Sequence, residues 1–119
     1  MNRRTAILAA AGATLAAASE TPLACNLKAL TAAERVAHKE RTVRVFQAAK
    51  LTPLADGYAI ALPAGTWSEA AQWVELERKC CPFLRFQLES AAESGEVVLR
   101  LTGRNGVKAF LEEELRLKK

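Results

Sequence analysis

Two four-residue stretches constrain this chain more than anything else in it: "TAAE" at Thr31 to Glu34 and "TWSE" at Thr66 to Glu69. Both are capping-box signatures. The threonine side chain accepts from the N–H three residues on, and the glutamate reaches back to the threonine N–H. Each therefore marks a helix start. The first helix is expected to run to about Lys50, with Val36, Val43 and Phe46 repeating at helical spacing as its apolar stripe. The second carries Trp67, Ala70, Ala71 and Val74 on one face and stops at Pro82, because the residue before a proline is biased away from helical geometry.

The remaining segments read as strands. After the first helix comes "KLTPLADGYAIALP", in which Asp56-Gly57 makes a tight turn and Tyr58, Ile60 and Leu62 alternate. After Pro82, Leu84, Phe86 and Leu88 alternate with Arg85, Gln87 and Glu89, and Val97, Leu99 and Leu101 alternate with Arg100 and Thr102. Such alternation marks antiparallel strands with one face buried. "GRNG" leads to a last helix, Val107 to Leu117, with Asn105 as its cap. The order is α-ββα-ββα. It predicts an α+β fold with one four-stranded antiparallel sheet and helices packed on one face. The second and third helices each follow a hairpin, which points to a weak internal duplication.

The first nineteen residues differ in kind. "MNRR" is basic, "TAILAAAGATLAAAS" is uncharged and apolar, and small residues precede Glu20. That is the anatomy of a secretory signal, and paired Arg3 and Arg4 before an Ala/Gly-rich run resemble the twin-arginine type. The expected organisation is an export signal over 1–19 and a single domain over 20–119, exported to the periplasm or the extracellular space. The apolar run is shorter than the roughly 20 residues that cross a bilayer. Pro22 stands where lipid attachment at Cys25 wants an aliphatic residue. Without Arg3 and Arg4, 15 of the 17 basic residues remain against 13 acidic ones, and the signs are interspersed. Neither nucleic-acid binding nor electrostatic membrane attachment is supported. The open sheet face or an edge leaves room for a homodimer without demanding one.

"ERKCCPFLRF", Glu77 to Phe86, carries two of the three cysteines; the third is Cys25, and His38 is the sole imidazole. Neighbouring Cα atoms are about 3.8 Å apart, below the range of relaxed disulfides, so a Cys80–Cys81 bridge is disfavoured. Arg78, Lys79 and Arg85 favour a thiolate, while Glu77 and the helix C-terminus oppose one. The leading reading is a non-catalytic site formed by Cys25, Cys80 and Cys81, with or without His38. It would take a soft or borderline species: zinc, copper(I), mercury(II) or trivalent arsenic. Paired Cys-x-x-Cys knuckles are absent, so two other readings stay open. One is an interaction domain held by a disulfide from Cys25 to Cys80 or Cys81, without metal. The other is a thiol redox or detoxifying enzyme with Cys80 or Cys81 as nucleophile. His38 lies off the Val36–Val43–Phe46 stripe and reads equally as a solvated side chain or a ligand. Trp67 and Trp73 read as packing, and Glu112 to Glu114 as a solvated helix face. No phosphate loop, carboxylate dyad or nucleophile–base pair is recognisable.

Taken together, "CNLKAL", "ERVAH", "DGYAIALP", "ERKCCPFLRFQL" and "LRLTGRNGVKAFL" resemble a family of small, largely uncharacterised bacterial proteins sharing an ERxCCPF motif. The resemblance spans Cys25 to about Leu111 and implies that Cys25, His38, Cys80 and Cys81 are the motif positions. It supports a thiol site and names no ligand. The export reading has its own test: N-terminal sequencing from the native host should find a chain starting near Ser19 or Glu20 without lipid. An intact Met1 or a lipidated Cys25 would refute it.

Overall fold

The capping box at Thr31 forms as its residues dictate. Thr31 Oγ1 accepts from the Glu34 N–H at 3.1 Å, and Glu34 Oε1 accepts from the Thr31 N–H at 2.9 Å. It opens helix α1, Ala32–Phe46. The structure is a computed structural model that describes residues 21–118, so the proposed signal over 1–19 lies outside the described residues. A short 3₁₀ turn, Leu27–Ala29, precedes α1. Strands β1 (Lys50–Leu54) and β2 (Gly57–Leu62), helix α2 (Trp67–Cys80), strands β3 (Arg85–Ser90) and β4 (Val97–Thr102), and helix α3 (Val107–Lys118) follow. This is the expected α+β order, with one four-stranded antiparallel sheet in the order β1-β2-β4-β3.

The register puts Ile60 opposite Leu99, Leu62 opposite Val97 and Leu88 opposite Leu99 on one sheet face. Ile60, Leu62, Val97, Leu99 and Leu101 are buried there with Trp73 of α2 and Val107 and Leu111 of α3. The other face keeps Arg85, Gln87 and Glu89 exposed, and Arg100 bridges Glu89 across it at 2.8 Å. Pro53 sits in edge strand β1, where its missing N–H costs no ladder bond. Gly57 is needed for space rather than for a positive φ, since a Cβ there would collide with the Leu101 carbonyl across the ladder.

Five local expectations are corrected. Of the expected α1 stripe only Phe46 is buried: Val36 and Val43 are 61% and 65% exposed, and His38 and Val45 are buried in their place. His38 stands roughly 200° around the helix from Val36, so the polar residue is on the inner face. The helix also ends at Phe46, short of Lys50, because Lys50 already pairs with Ala61 in the sheet. On α2 the inner face is Ala70, Trp73, Glu77 and Cys80, and Trp67 is 46% exposed. Finally, Thr66 makes no capping bond: its backbone has ψ near 1° rather than the extended ψ of 165° at Thr31. Its hydroxyl donates instead to the Pro63 carbonyl at 2.8 Å. The residue directly before α3 is Gly106 (φ +100°), not Asn105.

The topology also divides into two helix-then-hairpin halves, a different unit from the hairpin-then-helix repeat expected from the sequence, and β2 and β4 meet antiparallel at the sheet centre. That is the arrangement a two-fold axis between them would give. Counting from Thr31 and Thr66, His38 and Trp73 occupy matching positions, as do Thr42 and Glu77. The rings of His38 and Trp73 stack with centroids 5.7 Å apart. His38 Nε2 meets Glu77 Oε1 at 2.6 Å, while Trp73 Nε1 donates to Thr42 Oγ1 at 2.9 Å. The two bonds cross the helix pair reciprocally.

The Thr31 backbone N–H holds the Glu34 carboxyl below its ordinary range, with Lys79 adding to the effect. A carboxyl depressed in the folded state contributes stability above its unfolded pKa and loses it as pH falls through the folded one. Thermal melts should therefore separate wild type from Glu34→Gln at neutral pH, and the gap should close on acidification. Thr31→Ala should cost about 1 kcal/mol.

Candidate functional site

The C-terminal turn of α2 arranges the chemistry. Glu77, Cys80 and Cys81 stand at i, i+3 and i+4, a spacing that puts side chains on one side of a helix. Cys81 is the cap residue: its N–H bonds to the Glu77 carbonyl at 2.8 Å, and its backbone leaves helical geometry at φ −127°, ψ 67°. That departure swings its sulfur back toward Cys80, leaving the two sulfurs 3.8 Å apart. The sulfurs are close without being bonded to one another, in keeping with the disfavoured Cys80–Cys81 bridge.

Cys25 is delivered by the segment ahead of α1. The Asn26 N–H donates to the Cys80 carbonyl at 2.7 Å, fixing this segment on the end of α2. Arg35 of α1 donates to the carbonyls of Leu27 and Leu30 at 3.2 and 2.8 Å. Upstream, Arg104 donates to the Thr21 carbonyl. Leu23 lies against Gly106, where a Cβ would come within 2.7 Å of its Cδ1. Cys25 and Cys81 are joined in a disulfide with Cα atoms 4.8 Å apart. The sequence leaves Cys80 and Cys81 open as partners of Cys25; the structure pairs Cys81.

Glu77 lies at the centre of the group. It is 7% exposed, and burying a carboxylate is costly unless it is paired and hydrogen-bonded. His38 Nε2 meets Oε1 at 2.6 Å. The Cys80 Sγ lies 3.9 Å from the same oxygen and 3.6 Å from the Glu77 carbonyl. The Cys81 Sγ is 3.5 Å from Oε2. A cross-linked sulfur carries no proton, so that approach is a contact here and becomes a donor–acceptor pair only on reduction. His38 Nδ1 is buried and has no hydrogen-bond partner among the described residues.

The ligand atoms of Cys25, Glu77, Cys80 and Cys81 all lie within 4.8 Å of one another, a group that could hold a metal ion. The three expected cysteines thus converge, and Glu77, read from the sequence only as a charge opposing the thiolate, joins them. His38 stands behind Glu77, in contact with its carboxylate. The i, i+3, i+4 spacing was the available signal for Glu77; its burial was not readable. Of the opposing charges that the sequence sets around the thiols, the acidic one is the one at hand. Cys80 and Cys81 are 1% and 0% exposed. Arg78 turns to Glu75 at 3.5 Å and Lys79 to Glu34 at 3.4 Å, so the charge beside the sulfurs is that of Glu77.

A cavity of about 780 Å³ opens beside the group. Cys25, His38, Glu77 and Cys80 line it together with Leu23, Leu27, Leu30, Val43 and Phe110. No family model, curated protein or solved structure matches this chain. None of the helices among the described residues is long and apolar enough to cross a membrane.

The disulfide closes a loop between positions 56 apart, a length for which chain-entropy arguments give about 4 kcal/mol. Cys25→Ser should lower unfolding free energy by roughly that amount in denaturant titrations, and reduction of wild type should reproduce the loss. His38→Ala should cost on the order of 3 kcal/mol, because it strands the buried Glu77 carboxylate. A loss below 1 kcal/mol would contradict that role for the pair.

Proposed function

We propose that the chain, with its disulfide reduced, binds one thiophilic metal or metalloid ion through Cys25, Cys80 and Cys81, and that it sequesters or hands over that ion rather than transforming it. One observation carries the reading: three sulfurs and a buried carboxylate within 4.8 Å of one another. The spacing is also suitable. Two sulfurs each about 2.3 Å from a tetrahedral ion stand about 3.8 Å apart, the separation found for Cys80 and Cys81. Sulfur donors select zinc, copper(I), mercury(II) or trivalent arsenic over hard cations. Glu77 supplies an oxygen donor, and His38, bonded to it, orients the carboxylate as outer-sphere partners of metal ligands do. The Cys25–Cys81 disulfide is the ion-free, oxidised form of the same residues. The ERxCCPF resemblance supports this reading from the sequence side, whereas export into oxidising conditions favours the disulfide-bonded form.

The disulfide itself favours a second reading, an interaction domain that Cys25–Cys81 stabilises without any metal. Native mass spectrometry with elemental analysis of the anaerobically reduced chain separates the two. One equivalent of ion is expected, with Cys80→Ser and Cys81→Ser each weakening binding at least about tenfold and His38→Ala weakening it less. Failure of the reduced wild type to retain any of the four candidate ions would leave the disulfide domain as the function.

A further inference from the structure

The cavity beside the cysteines is far larger than an ion requires. At about 780 Å³ it falls within the roughly 300–1,000 Å³ typical of small-molecule sites. Its chemistry is divided. Buried Cys80, Glu77 and His38 line one part with Cys25; Leu23, Leu30 and Phe110 supply apolar wall; exposed Leu27 and Val43 stand at the rim; and Arg35, Lys39 and Glu114 also line it. Cys81 does not line it. A naked ion would bind the sulfurs and leave the apolar wall facing water. A ligand that uses both parts has a thiophilic atom at one end and an apolar group at the other.

We infer that the ligand of this site is a thiophilic element carrying one apolar organic substituent, of which a monoorganic arsenic(III) compound is the simplest case; this rests on the thiol-site reading above. Cys25 and Cys80 are the two sulfurs that face the cavity. Once an added phosphine has reduced the Cys25–Cys81 bond by two electrons, their thiols can displace the two hydroxyls of R–As(OH)₂. Two As–O bonds break and two As–S bonds form. Each thiol proton departs on a hydroxyl as water, and arsenic stays trivalent. The substituent R then extends over Leu23, Leu30 and Phe110. Phe110 is already held in place edge-on to Phe83, with ring centroids 5.0 Å apart.

The test compares phenyl and methyl arsenic(III) on the phosphine-reduced full chain, with dithiothreitol as a dithiol that has no cavity and arsenite as the ion without a substituent. The protein should prefer phenyl over methyl by on the order of tenfold more than dithiothreitol does, the increment expected from burying a ring's extra apolar surface. Leu27→Ala and Val43→Ala, at exposed rim positions, should each weaken phenyl binding a few-fold and leave methyl binding unchanged. Phe110→Ala should weaken phenyl binding more, with circular dichroism confirming that the variant is folded. If the phenyl-to-methyl ratio equals that of dithiothreitol and ignores all three substitutions while arsenite still binds, the cavity inference is overturned and the thiol site stands. If arsenite and both organic compounds fail to bind the reduced chain, the thiol-site reading falls and this inference with it.

Discussion

A carboxylate in the interior must be held by something, and the way Glu77 is held organises the rest of this protein. It is buried between helices, so the His38–Glu77 contact fixes the facing of α1 against α2. The same side chain lies against the sulfurs of Cys80 and Cys81, and its backbone carbonyl accepts the capping N–H of Cys81. One residue thus connects the helix pair, the helix end and the thiol cluster. Replacing it with an apolar side chain would relieve a desolvation penalty and remove the only oxygen donor of the ligand group. Its burial beside the sulfurs is easier to understand as chemistry than as stability.

The fold was legible because its signals were local. Alternation in Val97–Thr102 and Arg85–Ser90 is a backbone-scale pattern with one consistent reading, and Thr31 with Glu34 encodes a helix start within four residues. The facing of α1 was not legible. Val36 and Val43 form a plausible apolar stripe, and only the partner helix reveals that His38 points inward. Thr66 failed as a cap for a similar reason, since a capping oxygen needs extended backbone and the Pro63–Gly65 turn places Thr66 elsewhere.

The candidate site divides the same way. The convergence of Cys25 with the adjacent pair follows from where the helices begin and end. The choice of Cys81 as partner follows from a non-helical cap that no spacing rule contains. Glu77 required knowledge of burial. The bonds from His38 to Glu77 and from Trp73 to Thr42 join matching positions of the two helices, with a carboxylate on α2 where α1 has a hydroxyl. The positions matching Cys80 and Cys81 in the first half are Val45 and Phe46, which are buried as core instead.

The cap at Cys81 also bears on how the covalent structure is reached. Cys25 has two candidate partners one residue apart, and loop length scarcely distinguishes them, because closure entropy changes only logarithmically with length. An unfolded chain under oxidation would therefore form both pairings in similar amounts. Selection between them comes from the Asn26–Cys80 main-chain bond and the turn of backbone at Cys81, features that exist only once α2 and the segment before α1 have docked. The correct covalent isomer is thus a product of conformation, and a maturation order in which folding comes before oxidation gives one species where the reverse order gives a mixture.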